Sequence, residues 1–579
     1  MSDPTGTSDP GDLEIFRHQL TSLVEEMGIT LQRTAYSTNI KIRRDHTCAL
    51  FDADLRHVAQ HDVAPQHIGT LIAMVPELMS RHADDLAPGD GFLINDPYQG
   101  RGSIHLPDVA VISPLYAEDE IVGYAANSAH HVDIGGNTPG GIPTDSTSLY
   151  GEGLILPGIR GIEDWEYDED ILDLIVRNVR GPEMRLGDYH AQLGANKIGR
   201  DRYRDLVATY GRAGIRDLLD ELFDYTERLV RSGIADLPDG RYEAEDTLDG
   251  DGIVDEPVRL ALAVVVEGDE MTVDFTGTAD QNRGPLNCTP ALAFAGVLYS
   301  IMALIGEDLP KNDGFYRPFE VVTPEGTMVN PRPQAPVAAS AEVAVRAADL
   351  VLKAMAEALP ETVVAGGKGT IENIAYGGMD PRDDAEYVYY ETVAGGYGAR
   401  ATKDGMEAAQ AHFQNTANSP IEELEREIPL HVRRYELIQD SAGPGRNRGG
   451  LGVRRDLEFY DHEASFSVLA DRATSAPWGL FGGEDAAPAR YVVNPDTPAA
   501  RTISSKTTVD LEPGGTVSIQ TPGGGGYGDP HERDPDRVLA DVRNGKVSID
   551  AARERYGVVI DPDAMAVDRD ATRARRGED

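Results

Sequence analysis

Two runs organise this chain: Gly91-Phe-Leu-Ile-Asn-Asp-Pro-Tyr-Gln-Gly-Arg-Gly-Ser-Ile-His-Leu-Pro-Asp108 and, past a short apolar strand and turn, Asn127-Ser-Ala-His-His-Val-Asp-Ile-Gly-Gly136. They place His105, Asp108, His130, His131 and Asp133 between positions 105 and 133 of a chain with 14 histidines. Imidazoles and carboxylates gathered among glycines and prolines are the makings of a metal site. In His105-Leu-Pro-Asp108 the chain turns sharply at Pro107, so two ligands three apart can face one centre. His130 and His131 read as strand residues, and strand neighbours point to opposite faces, so only one of them readily joins that centre. Nitrogen and carboxylate donors without thiolate suit Mn²⁺, Fe²⁺ or Zn²⁺.

Upstream, Leu13, Phe16, Leu20, Leu23, Met27 and Leu31 recur at helical steps, predicting an amphipathic helix from Asp12 to about Ala35. Residues 1–11 read as a disordered polar leader. Cys48–Phe51 reads as a strand, Asp52–Arg56 as a hairpin turn, Pro65–Gly69 as a loop and Ile68–Met79 as a helix. After Leu149–Pro157, an extended segment, residues up to 232 read as mainly helical. Val258–Val266 and Met271–Phe275 predict a β-hairpin around Gly268-Asp269. The uncharged run between Arg283 and Glu307 reads as a buried helix, with Thr289 as cap and Pro290 in its first turn. Ser340–Leu359 predicts another amphipathic helix, stopped by Pro360. The last third is β-rich and punctuated by glycine. The expected fold is mixed α+β and multi-domain: a leader (1–11), a metal-site α/β domain (12–232), a β-rich domain with a buried helix (233–335), an α/β domain (336–440), a Gly-rich β region (441–530) and a helical polar tail (531–579).

Of the 579 residues, 98 are acidic and 53 basic, a net charge of −45, and only eight are lysine. An acidic, lysine-poor surface suits high salt, where a short Debye length mutes self-repulsion. The same charge speaks against a nucleic-acid or anionic-membrane partner. Cys48 and Cys288 form no CxxC pair, and the first residues show no secretory signal, which points to a reducing cytoplasm. Gly523–Gly526 offers backbone N–H groups but no following lysine, so tight turns or close packing compete with phosphate binding there. Gly395–Gly398 with Arg400 is a second candidate anion contact.

The chain resembles the hydantoinase B/oxoprolinase family from about Asp12 to Pro530. The likeness is carried by Glu26-Met-Gly28, Arg33-Thr-Ala35, Arg44-Asp45, Pro65 with His67-Ile-Gly69, Asn95-Asp-Pro97, His105-Leu-Pro-Asp108, Ser128-Ala-His-His131 and Asp133-Ile-Gly135. It continues through Glu391-Thr, Gly395-Gly-Tyr-Gly-Ala-Arg400, Asp404-Gly405, Pro420-Ile-Glu422, Leu424-Glu425, Arg448-Gly-Gly-Leu-Gly452 and Gly523-Gly-Gly-Gly-Tyr-Gly-Asp-Pro530. The resemblance implies one divalent transition metal (Mn, Zn or Fe) held by Asp45, His105, Asp108 and His130. It also implies a partner A-type ATPase subunit, in a heterotetramer or larger assembly. That partner spends ATP to phosphorylate a small cyclic amide such as a hydantoin or 5-oxoproline. This chain then hydrolyses the activated ring with metal-bound water. Asp45 would also orient that water, and His67 and His131 would shuttle protons or touch substrate. The resemblance leaves two alternatives: an acetone carboxylase alpha-like subunit, and a non-catalytic scaffold of the same fold.

Overall fold

The computed structural model describes residues 10–577 apart from 62, 100–101, 307–308, 411 and 413. Helix α1 (Pro10–Thr34) begins two residues earlier than expected, because proline is tolerated in a first helical turn. Residues 10 and 11 are therefore helical, and the rest of the expected leader lies outside the described residues. A short α2 (Thr38–Lys41) is capped by the Ser37 hydroxyl. Then come β1 (His46–Asp52), β2 (His57–Gln60), α3 (Gln66–Arg81), β3 (Gly91–Ile94), β4 (Asp108–Ala117), β5 (Glu120–His130), β6 (Pro157–Glu163) and β7 (Glu166–Tyr167). These strands form one antiparallel sheet of order β2-β1-β5-β4-β3-β6-β7. Two readings change here. His67 stands in the first turn of α3, not in a loop. Residues 157–167 are strands, because β6 pairs with the free edge of β3.

Helix α4 (Glu169–Val176) and the long α5 (Pro182–Ala235), broken at Gly211 where φ is +72°, lead out of this sheet. The apolar faces of α1 and α5 and the inner face of β1 and β5 share a core of Phe16, Leu20, Met27, Leu50, Leu219 and Phe223. A second sheet of order β11-β10-β9-β8 contains β8 (Gly240–Leu248), β9 (Val258–Glu267), β10 (Glu270–Asp274) and β11 (Phe319–Val322), with the expected hairpin at β9–β10. Between β10 and β11 lie α6 (Pro290–Ile305), capped by Thr289 as anticipated, and α7 (Asp313–Tyr316). Helix α8 (Ser340–Ala354) packs against α6 in the largest core; it ends at Ala354, and the remaining residues to Pro360 form turns.

A third sheet, β13-β12-β16-β19, joins β12 (Asn373–Asp380) and β13 (Ala385–Thr392) to β16 (Ala464–Leu469) and β19 (Lys506–Leu511). It takes strands from both sides of residue 440, where a boundary was expected. A fourth sheet, β14-β15-β20-β17-β18, is made by β14 (Leu430–Leu437), β15 (Val453–Phe459), β17 (Arg490–Val493), β18 (Arg501–Ile503) and β20 (Thr516–Gln520). The tail has a small core of its own, including Val538, Val547, Tyr556 and Val558. The fold is mixed α and β with several sheets, and among the described residues no helix is long and apolar enough to cross a membrane.

The glycine runs pack backbone on backbone. The N–H groups of Gly523, Gly524, Gly525 and Gly526 donate to the carbonyls of Ala487, Gly450, Gly366 and Glu484. A Cβ on Gly524 would overlap the Tyr397 carbonyl, and one on Gly449 the Gly524 carbonyl. Those donors are consumed by carbonyls of neighbouring loop backbone, which closes the phosphate-cradle reading. Gly524→Ala should therefore yield insoluble or strongly destabilised protein. Gly194→Ala, whose Cβ would meet nothing within 4 Å, should leave stability unchanged or raise it by up to about 1 kcal/mol through helix propensity. Thermal melts of the two variants check this, and a Gly524→Ala protein melting like wild type would contradict the packing.

Candidate metal centre

The centre lies at one end of the adjacent strands β1, β5 and β4 of the first sheet. Antiparallel pairing sets Asp108, the first residue of β4, opposite His130, the last of β5. The His130 N–H donates to the Asp45 carbonyl (3.0 Å), which brings the residue before β1 to the same place. The His105–Asp108 turn closes through Asp108 N–H to the His105 carbonyl (3.1 Å). Asn95, of the Asn-Asp-Pro phrase, ties it down: its amide donates to the Leu106 and Leu154 carbonyls and its oxygen accepts from Leu156 N–H. Ser340, at the start of α8, donates to the Ile104 carbonyl (2.6 Å), so that helix end also braces the turn.

His67 enters from α3. Its Nε2 lies 3.0 Å from Asp108 Oδ1 and 3.8 Å from Asp45 Oδ1, while His105 Nε2 lies 3.1 Å from Asp108 Oδ2. The His105 and His130 rings meet edge-on at 4.9 Å. Asp45, His67, Asp108, His105 and His130 thus converge, all at most 5% exposed. Burial by itself favours the neutral acid of Asp108, but the adjoining His67 and His105 imidazoles win and hold it well below the usual carboxylate range. Burial pushes Asp45 up, against the pull of His67. Burial works to deprotonate His67, yet Asp108 and Asp45 raise it on balance. His130 is driven well down by burial and is neutral.

Elements distant in sequence set the His130 ring. It stacks on Tyr390 at 4.4 Å with the ring planes nearly parallel. Asn39 Nδ2 donates to the His130 carbonyl (2.6 Å) and faces its Nδ1 (3.2 Å). Arg43, fully buried, donates to Asn39 Oδ1, to the Tyr390 carbonyl and to Thr392 Oγ1. With its oxygen engaged by Arg43, the Asn39 amide presents N–H to the ring, so the neutral imidazole carries its proton on Nε2 in this arrangement. Asn39, Arg43 and Tyr390 were not anticipated as supports of the centre. Only the neighbouring Arg44-Asp45 phrase hinted that this stretch matters.

The structure does not bring His131 to the cluster. Its side chain points across the strand, where Nε2 lies 3.0 Å from Gln192 Oε1 and the ring stacks on Tyr189. Asp133 is also engaged elsewhere: its oxygens accept from Gly135 N–H, Gly140 N–H and Arg180. The donor chemistry of the remaining cluster fits a divalent cation. Both Asp108 oxygens, His67 Nε2 and His130 Nε2 are buried without a hydrogen-bond partner. The side chains as they stand pair with one another, and among the described residues no three are arranged as a ready-made metal site. Holding an ion therefore requires rotation within the cluster, loss of the His67 proton and a shift of the His130 proton from Nε2 to Nδ1.

The chain thus sets a buried carboxylate–imidazole cluster at one end of an antiparallel sheet, within a mixed α and β fold of several sheets. The model of the hydantoinase B/oxoprolinase family matches residues 9–530, and the chain belongs to that family. It is 36% identical over 571 residues to an uncharacterized protein of Methanocaldococcus jannaschii, covering 98% of this chain and 99% of that one. It is 32% identical to the caprolactamase subunit beta of Pseudomonas jessenii, covering 98% of this chain and 99% of that subunit. The crystal structure of the ATP-dependent caprolactamase from the same organism superposes with a TM-score of 0.91, covering 99% of this chain and 100% of the matched one. An acetone carboxylase structure shares the fold with the same TM-score at 21% identity, covering 98% of this chain and 83% of that chain.

Proposed function

We propose that this chain is the hydrolytic subunit of an ATP-dependent cyclic-amide hydrolase, acting on a hydantoin, 5-oxoproline or similar lactam activated on an A-type ATPase partner. The observation that carries it is Asp108, buried, with one oxygen against His67 Nε2 (3.0 Å) and the other against His105 Nε2 (3.1 Å). Asp45, His105, Asp108 and His130 would hold one divalent transition ion (Mn, Zn or Fe), which supplies a water acidified toward neutrality. His67, against Asp108 and near Asp45, takes a proton from the attacking water and returns it to the ring nitrogen as the C–N bond breaks. Asp45 orients that water. Arg43 and Asn39 keep the His130 ring in place. The multi-subunit name of the caprolactamase relative supports a partner, and two buried free cysteines support a reducing cytoplasm.

Elemental analysis should find one metal ion per chain. Asp108→Ala should lose both that ion and ATP-coupled lactam hydrolysis, while His131→Gln, facing away from the cluster, should keep the ion. Metal-free active protein would refute the reading, as would consumption of bicarbonate with a ketone. Metal affinity should fall on acidification. His67 titrates above the ordinary imidazole value of about 6.5, so its proton competes with the ion from that higher pH downward. Calorimetric titrations with Mn²⁺ across pH check the sign; affinity independent of pH would exclude His67 as competitor. The acidic, lysine-poor composition supports a high-salt setting, so the melting temperature should rise from dilute to molar KCl. A flat or falling trend would sink that reading.

A further inference from the structure

On one face of α6, Ala295, Leu298, Tyr299 and Met302 follow the spacing of a single helical stripe. Ala295 packs on α3, and the residues beyond it face a cavity. With Phe315 and Tyr316 of α7 they wall a cavity of about 180 Å³, completed by Gln60, Pro65, Lys311 and Asn415. Cavities of roughly 150 Å³ with apolar walls accept a single six-membered ring. This one is of that order.

Two of its walls are continuous with the metal centre. Pro65 precedes α3, two residues before His67. The α3–α6 contact is intimate there: a Cβ on Gly69 would lie 2.6 Å from the Ala291 carbonyl and 2.7 Å from the Ala295 Cβ, so the wall residue Ala295 packs directly on the turn that carries His67. On the other side Asn415 adjoins Thr416, whose hydroxyl bonds Thr392 (2.7 Å), and Thr392 in turn accepts from Arg43. Outward, Gln60 and Lys311 also line a second cavity of about 460 Å³ together with Arg17, Thr21 and Asn312. The apolar chamber therefore lies between an open polar basin and the elements that hold the catalytic cluster.

We propose that this chamber is the specificity pocket for the ring carbons of a monocyclic amide, with Leu298, Tyr299 and Met302 setting ring size and the amide edge directed past Pro65 toward His67. The proposal deepens the functional reading above and rests on it for the reaction, but not for binding. Apolar walls with few polar groups at the rim are the ordinary make-up of a small-ligand pocket. A ring in the chamber is removed from water by these apolar walls.

Saturation-transfer NMR on the full chain, with caprolactam, 2-pyrrolidinone and hydantoin as probes, tests the chamber without turnover. At least one probe should bind. Leu298→Trp, which fills the chamber, should weaken it by about tenfold or more, the worth of burying one small apolar ring. Met302→Phe, at a half-buried position that tolerates a larger side chain, should reorder the three probes by ring size. Asp108→Ala should leave binding intact. Melting curves confirm that each variant is folded. No binding of any probe to wild type, or the same affinities in both chamber variants, overturns the proposal. If wild type and partner hydrolyse a lactam while Leu298→Trp keeps its KM, the chamber is refuted and the reaction stands. If the probes bind as described and nothing is hydrolysed, the reaction fails and the chamber stands.

Discussion

The register of β4 against β5 is the constraint on which the centre depends. Pairing Asp108 with His130 aligns the end of one strand with the start of the other, and the β1–β5 ladder, with His46 opposite Ala129, draws Asp45 to the same level. A slip of one residue would send His130 to the face where His131 now meets Gln192, and would turn Asp108 away from His67. The sheet resists that slip because Val109, Val111, Ala125 and Ala129 are wholly buried. The same register that builds the core thus builds the site.

Around that sheet the other layers are locked by charges as well as by apolar packing. Arg346 on α8 pairs with Asp471 (2.6 Å) and Asp246 (3.1 Å), and Asp471 also meets Lys506 (2.8 Å), which links α8 to the second and third sheets in a buried network. Breaking one member of such a network leaves an uncompensated charge, so its value lies in a unique arrangement more than in net stability. The glycine layer serves a similar end by other means. Loop segments there approach until backbone meets backbone, and their N–H groups are spent on neighbouring carbonyls.

The local parts of this design were legible in the chain. His105-Leu-Pro-Asp108 announces itself because both donors and the turn lie within four residues. Strand alternation lets only one of His130 and His131 join the centre, the family resemblance picks His130, and the structure puts the two rings on opposite faces. The supports of His130 were not legible: Arg43 reaches the Tyr390 carbonyl 347 positions away, and no local pattern encodes that. Residues 157–167 were read as leading into helices because their strand character comes from the edge of β3. His67 was placed in a loop because Pro65 suggests a break, although proline also opens helices. The third sheet crosses residue 440 because strand pairing answers to partners, not to composition along the chain.

Two carboxylates and three imidazoles sharing one dry site pose an electrostatic problem that protons alone solve poorly. With Asp108 held anionic by its two imidazoles, Asp45 is pushed toward the neutral acid by burial and by Asp108 itself. Adjacent buried acids driven in opposite directions are a pair whose titrations are coupled. The proton on His67 offsets one charge, but both Asp108 oxygens remain without a hydrogen bond. On the proposed reading, a divalent cation would remove the conflict by letting both carboxylates ionise together. The ladder pairing and the Asn95 brace give the donors little room to separate, so the conflict between the two acids is built into the fold.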